Sequence, residues 1–137
     1  MLYFWSNKNT DNTVTKVSEL MDNAFYCSVK WSPNGSMIGT GSDVGMLEII
    51  DSVKPVCLWS VDCHTNRISS MSWMNSNIIS TGSRDNTIKT LDLRTRQVVS
   101  TLRKHSQEVC GLKWSSNGIY LASGGNDNII NIWDQRR

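Results

Sequence analysis

The chain has 137 residues, with 39% hydrophobic and 19% charged side chains, enough for one ordinary globular domain and too few for two. Lys and Arg number 14 against 12 Asp and Glu, so no strong field argues for nucleic acid or an anionic membrane as partner. Six Trp among few aromatics, nine Gly and a large stock of Ser, Thr and Asn suit short strands and polar turns, and the expected class is all-β.

The first segment, Met1-Leu2-Tyr3-Phe4-Trp5, is too short for a signal-peptide core and lacks a basic leader, and no apolar run reaches the roughly 18 residues of a membrane span. A soluble intracellular protein is expected. Tyr3 to Trp5 reads as a strand and is the first instance of a pattern that then recurs.

Three repeats follow, from about Val14 to Asp51, Val56 to Asp92 and Val98 to Asp134. Trp31, Trp73 and Trp114 are spaced by 42 and 41 residues, and each precedes a turn-rich stretch such as Ser32-Pro33-Asn34-Gly35 or Ser115-Ser116-Asn117-Gly118. The middle copy, Met74-Asn75-Ser76-Asn77, has lost the Gly. A second column runs Trp5-Ser6, Ile50-Asp51, Leu91-Asp92 and Trp133-Asp134, each closing a β-type run. A third holds Thr40-Gly41-Ser42, Thr81-Gly82-Ser83 and Ser123-Gly124-Gly125. A fourth holds His64 and His105, with Asp22 where the first copy would carry its His.

A fixed period of this length predicts a β-propeller, in which each repeat supplies four short antiparallel strands buried between neighbouring blades. Each repeat begins with the outer strand of one blade and ends on the third strand of the next, and Tyr3 to Trp5 is the third strand of an earlier blade. In the last repeat Glu108 to Trp114, Ile119 to Ser123 and Ile129 to Trp133 are the expected strands, joined by turns whose Gly and Asn tolerate positive φ. The ending of Ile129-Ile130-Asn131-Ile132-Trp133-Asp134 resembles the signature of WD repeats.

His105, Ser123, Asp127 and Trp133, with Cys110 nearby, could be drawn as a Cys-His-Asp hydrolase site. Their spacing instead matches the structural tetrad of WD repeats, in which a turn Asp, a loop His, a strand hydroxyl and the Trp indole satisfy one another. The second repeat keeps His64, Thr81 and Asp85 but has Leu91 for Trp, and the first has Asp22, Val44 and Ile50 in place of His, Asp and Trp. Cys27, Ser69 and Cys110 share one column of the first strand and are expected to be small buried groups, with reduced thiols. His64 beside Cys63 and Asp62 has no second ligand pair at a spacing that would close a metal site, and no metal or other cofactor is expected. The basic residues Lys89, Arg94, Arg96, Arg103 and Lys104 are scattered without interleaved aromatics, so they read as solvated surface and not as a nucleic-acid groove.

His105-Ser106-Gln107-Glu108-Val109-Cys110-Gly111-Leu112-Lys113-Trp114, followed by Leu121-Ala122-Ser123-Gly124-Gly125-Asn126-Asp127-Asn128, goes beyond the generic pattern and closely resembles the Fizzy family of anaphase-promoting complex activators. Leu2-Tyr3-Phe4-Trp5, Tyr26-Cys27-Ser28-Val29-Lys30-Trp31 and Ser80-Thr81-Gly82-Ser83-Arg84-Asp85 resemble further stretches of the same family. The resemblance implies a partial WD-repeat propeller and a non-enzymatic substrate receptor of a ubiquitin ligase, found in nucleus and cytoplasm. Its partners would be anaphase-promoting complex subunits and degron-containing substrate proteins, with neither nucleic acid nor membrane. It further implies that Asn126 and Asn128 hold a Lys-Glu-Asn type degron, that Arg84 adds a contact to its acid, and that Asp127 stays in the tetrad. Relative to the family, the early strands of the first blade, the later blades and the terminal segments are missing, and with them most of the destruction-box groove. The expected product is an open arc whose sheet edges can pair with another chain. The alternative expectation is a generic WD-repeat interaction scaffold outside the ubiquitin pathway.

Overall fold

The structure is a computed structural model and describes residues 1–6, 13–20 and 23–136. Asp22, placed in the first repeat's His column, lies outside the described residues. No helix occurs among the described residues. The chain forms β1 (Leu2–Ser6), β2 (Thr13–Ser18), β3 (Tyr26–Trp31), β4 (Met37–Ser42), β5 (Met46–Asp51), β6 (Val56–Asp62) and β7 (Ile68–Asn75). It continues with β8 (Ile78–Ser83), β9 (Ile88–Asp92), β10 (Gln97–Leu102), β11 (Val109–Trp114), β12 (Tyr120–Gly125) and β13 (Ile130–Asp134).

These strands make four antiparallel sheets: β1-β2, β3-β4-β5-β6, β7-β8-β9-β10 and β11-β12-β13. The all-β propeller arc expected from the period is what the chain builds. In the last sheet the second strand continues through Gly124 and Gly125, because Gly124 pairs with Ile130 and Gly125 with Val109, so the turn is shorter than the Gly-Gly pair suggests.

Local chemistry sets the turns. Asn34 Oδ1 accepts from the Ser36 amide at 3.1 Å and from the Ser32 hydroxyl at 2.9 Å, while Gly35 takes φ +72°. The last repeat copies this with Ser115, Asn117 and Gly118. In the middle repeat Asn75 pairs directly with Ile78, and Asn75 Oδ1 caps the amides of Asn77 and Ile78 at 2.8 and 3.0 Å. That tighter hairpin needs no glycine at the position where the other two repeats use one.

β5 lies in a sheet with neighbours on both sides and buries Leu47, Glu48, Ile49 and Ile50 in succession. One core lies between the second and third sheets, where Leu47 and Ile49 meet Ile68, Met71, Trp73, Ile79 and Leu91. A second, between the third and fourth, joins Ile88, Val109, Trp114 and Leu121. Each fully buried side chain of this size contributes on the order of 1.5–3 kcal/mol.

The Trp column closes these cores. Trp73 Nε1 donates to the Lys30 carbonyl at 3.1 Å, and Trp114 Nε1 donates to Ser80 Oγ at 3.1 Å, each reaching back to the preceding blade. The innermost strands are also stitched together: Ser28 Oγ donates to the Ile68 carbonyl at 2.8 Å and Ser70 Oγ to the Val109 carbonyl at 3.0 Å. Trp31 faces the two-stranded first sheet, where it meets the Phe4 ring edge-on at 6.5 Å.

Candidate functional site

Four loops at one end of the arc carry the His and Asp residues singled out by the repeat columns: His64 before β7, Asp85 before β9, His105 before β11 and Asp127 before β13. In the last repeat, His105 sits in the loop before β11, Ser123 on β12, Asp127 in the β12–β13 turn and Trp133 on β13. His105 Nδ1 lies 2.9 Å from Asp127 Oδ2, and a carboxylate can only accept, so Nδ1 carries the proton. Nε2 then accepts from the Ser123 hydroxyl at 2.8 Å, and the Trp133 indole donates to the same oxygen at 2.9 Å. Asp127 also accepts from the amides of Ser106 and Ile129, which fixes the loop and the turn together.

The second repeat forms a variant. His64 bonds Asp85 at 2.8 Å through Nδ1 and Thr81 at 2.8 Å through Nε2, while Leu91 offers no donor. Cys63 Sγ stands 3.5 Å from Thr81 Oγ1, a weak contact in which either group can donate. Burial holds the His64 pKa below its ordinary value despite the neighbouring Asp85 carboxylate. In the first repeat, Val44 is an exposed turn residue and Ile50 is buried. Thr40 there faces Glu48, whose carboxylate accepts from Tyr26 at 2.7 Å and Ser18 at 2.8 Å. This carboxylate-centred network ties β2 of the first sheet to the second sheet, and its one sequence signal is an acid in an otherwise buried strand. Among the described residues, no buried side-chain nitrogen or oxygen lacks a partner.

The Cys-His-Asp alternative finds no geometry. Both ring nitrogens of His105 are occupied by Asp127 and by Ser123, with Asn131 also near Nε2, whereas Cys110 Sγ points to Asn126 Oδ1 at 3.2 Å. Desolvation and the nearby Glu108 charge raise the Cys110 pKa, the opposite of an activated thiolate.

The expectation that Cys27 and Cys110 are buried is corrected: both are exposed. Each stands at a β-bulge. Pairing jumps from Tyr26 to Ser28, from Ile68 to Ser70 and from Val109 to Gly111, so Cys27, Ser69 and Cys110 are the extra residues. A bulge turns its extra side chain out of the packed face, here toward the loop end of the arc.

The bulges border a polar groove of ≈ 470 Å³ between the third and fourth sheets, lined by Arg67, Arg84, Asn86, Ser106, Gln107, Glu108 and Asn126. Two equivalent backbone bonds shape it: the Arg84 amide donates to the Arg67 carbonyl at 3.1 Å and the Asn126 amide to the Glu108 carbonyl at 2.9 Å. Arg84 and Asn126 are thus brought to one groove. Asn128 is not among its lining residues. It takes φ +63° in its turn, as Asn86 (+70°) and Gly45 (+89°) do at the same place in the other repeats, which gives it a backbone role.

Residue-by-residue reading of the sequence misses Arg67 and Glu108. Arg67 Nε and Nη2 meet the Glu108 carboxylate at 2.6 and 2.7 Å, and Ser69 Oγ donates to it at 2.6 Å. The Arg67 hydrogen bonds hold the Glu108 pKa down at about 2 against the cost of burial. Aligning the repeats puts Phe25, Arg67 and Glu108 in one column, and opposite charges in consecutive copies are the signal that would have found the pair.

Four-stranded antiparallel blades, joined by indole contacts and carrying His-hydroxyl-Asp networks at their loop end, define a WD-repeat β-propeller arc. Residues 5–77 match the family model described as "Anaphase-promoting complex subunit 4 WD40 domain", and residues 96–134 match "WD domain, G-beta repeat". The chain belongs to the WD40 propellers, and the relatives it resembles are of the Fizzy type. It is 39% identical over 98% of its length to "WD repeat-containing protein slp1" of Schizosaccharomyces pombe, covering 27% of that protein. It is 40% identical over 97% of its length to "Protein FIZZY-RELATED 3" of Arabidopsis thaliana, again covering 27% of the relative. A chain of the solved "Crystal Structure of Mitotic Checkpoint Complex" superposes with a TM-score of 0.89 at 38% identity, over 98% of this chain and 42% of that one. The chain therefore spans about a quarter of the length of the curated relatives it matches.

Proposed function

We propose that these residues form part of the degron-receiving face of an anaphase-promoting complex activator, a non-catalytic receptor acting in nucleus and cytoplasm. In this reading it holds short motifs of substrate proteins for a ubiquitin ligase whose chemistry resides in other subunits. The observation that carries the reading is the meeting of Arg84 and Asn126 in one polar groove. One relative, 38% identical over 98% of this chain, is named "Cell division cycle 20.1, cofactor of APC complex" in Arabidopsis thaliana, which supports the same reading.

The groove chemistry suits a Lys-Glu-Asn peptide. Glu108 is neutralised by Arg67, so the charge left to recognise a ligand is that of Arg84, which fits the peptide's acid. The Asn126 amide offers both a donor and an acceptor to the peptide's polar side chains. Asn128 contributes by holding the turn that presents Asn126.

The test is titration of a fluorescent Lys-Glu-Asn peptide into the chain, followed by polarisation. Saturable binding that weakens at least tenfold in the Arg84→Ala/Asn126→Ala variant is expected. Absence of saturable binding, or equal affinity for the variant, overturns the reading.

A further inference from the structure

The second, third and fourth sheets repeat one small arrangement at their loop end. Tyr26 pairs with Ser42, Ile68 with Ser83 and Val109 with Gly125. After each of these pairs comes a bulge residue on the inner strand and the first residue of the turn on its neighbour. The bulge residues are Cys27, Ser69 and Cys110, and the turn residues are Asp43, Arg84 and Asn126. The three copies use these residues differently. Asp43 Oδ1 accepts from the Phe25 amide at 2.8 Å, and Ser69 Oγ turns to Glu108 of the next blade at 2.6 Å. In the fourth sheet the bulge and turn residues meet, with Cys110 Sγ 3.2 Å from Asn126 Oδ1. This is the shortest thiol contact among the described residues.

An amide oxygen carries no proton, so the thiol donates and Oδ1 accepts. One of the two Oδ1 lone pairs is thereby engaged. The Asn126 carboxamide makes no other hydrogen bond among the described residues, so both N–H donors of Nδ2 remain for a ligand. The backbone beneath it is fixed by the Asn126 amide donating to the Glu108 carbonyl at 2.9 Å, and Cys110 Sγ lies 3.7 Å from the same carbonyl. A carboxamide free to rotate and flip would have to be ordered by its ligand, at a cost in affinity. One held from behind is ordered beforehand.

We propose that Cys110 is a positioning residue for ligand recognition: its thiol holds the Asn126 carboxamide in one orientation, with the NH2 end left for the ligand. The inference rests on the reading of the Arg84 and Asn126 groove as a peptide site. It sharpens that reading, because Asn126 then selects a hydrogen-bond acceptor, a carboxylate or amide oxygen of the peptide. Arg84 selects the same class of group by charge, so the two residues act together on an acceptor-rich segment. The β-bulge is what makes the arrangement possible, since it turns Cys110 out of the packed face and beside the turn.

The test compares Cys110→Ala, which removes the donor, with Cys110→Ser, whose hydroxyl donates to the same oxygen. In the 15N-labelled chain without peptide, the order parameter of the Asn126 side-chain NH2 is expected to fall in Cys110→Ala and to be retained in Cys110→Ser. The carboxamides of Asn34 and Asn117, held in other turns, stay unchanged in both. Affinity for the fluorescent Lys-Glu-Asn peptide is expected to fall about three- to tenfold in Cys110→Ala and to stay within about twofold in Cys110→Ser. Asn126→Asp keeps an acceptor for the thiol but offers the ligand no donor, and should bind no better than Asn126→Ala. Equal Asn126 order parameters in the unaltered chain and Cys110→Ala overturn the proposal whether or not a peptide binds. So does full affinity of Cys110→Ala for a peptide that the unaltered chain holds. A fall in the order parameter with no peptide bound by any form supports the positioning role and overturns the degron reading alone.

Discussion

Arg67 and Glu108 stand at the same position of consecutive repeats and are bound to each other, with two hydrogen bonds of 2.6 and 2.7 Å spanning the third and fourth blades. Because Glu108 is held at about 2, below its ordinary 4.5, its stabilisation is complete above about pH 4.5 and is lost as pH falls toward 2. Urea midpoints measured across that range should fall, and Glu108→Gln should flatten the fall. Arg67→Met leaves the buried Glu108 carboxylate with the Ser69 hydroxyl but without its cation, so it should lower the urea midpoint at neutral pH and weaken the acid dependence.

The Ser123 hydroxyl serves two partners at once, accepting from Trp133 and donating to His105. Ser123→Ala leaves both groups short of this partner and should cost on the order of 1–3 kcal/mol. Trp133→Phe removes one donor and leaves the His105 bond in place, and should cost about 1 kcal/mol. Equilibrium unfolding monitored by circular dichroism gives the ranking, and a larger loss for Trp133→Phe would contradict the shared-oxygen account.

Gly45 takes φ +89° in the turn between β4 and β5, and a Cβ there would run into the His64 carbonyl. Both the backbone conformation and the close approach exclude a side chain. Gly45→Ala should cost on the order of 2–4 kcal/mol by urea unfolding. Gly35→Ala also sits at positive φ but meets nothing nearby, and should cost less.

Cys27, Cys57 and Cys110 are exposed and Cys63 is buried. A disulfide exchange reagent at mildly alkaline pH should titrate three thiols in the native chain and the fourth only after unfolding. Burial raises the pKa of all four, so the three accessible thiols should react no faster than a free cysteine.

The repeat period made the architecture legible, because columns an equal distance apart report the same strand of successive blades. His105, Ser123, Asp127 and Trp133 could be read together since all four lie within one repeat. What the period concealed depends on geometry between repeats. Arg67 and Glu108 are far apart in sequence and meet only because the innermost strands of consecutive blades are neighbours. Cys27 and Cys110 were misjudged because a bulge inserts one residue without altering residue type, so hydrophobicity alone placed them in the core. Asn128 carried a binding expectation, yet its positive φ shows a turn requirement that Asn86 and Gly45 meet at the same point.

The Ser28 and Ser70 hydroxyls reach carbonyls 40 and 39 residues further along the chain. During synthesis, then, each blade can form its hairpins early but must wait for one more whole repeat before its inner strand is fastened. At roughly 5–20 residues per second that wait is about 2–8 s. Throughout it the newest blade offers a bare apolar face to whatever is near the ribosome exit, and this interval is when a nascent chain of this design most needs shielding.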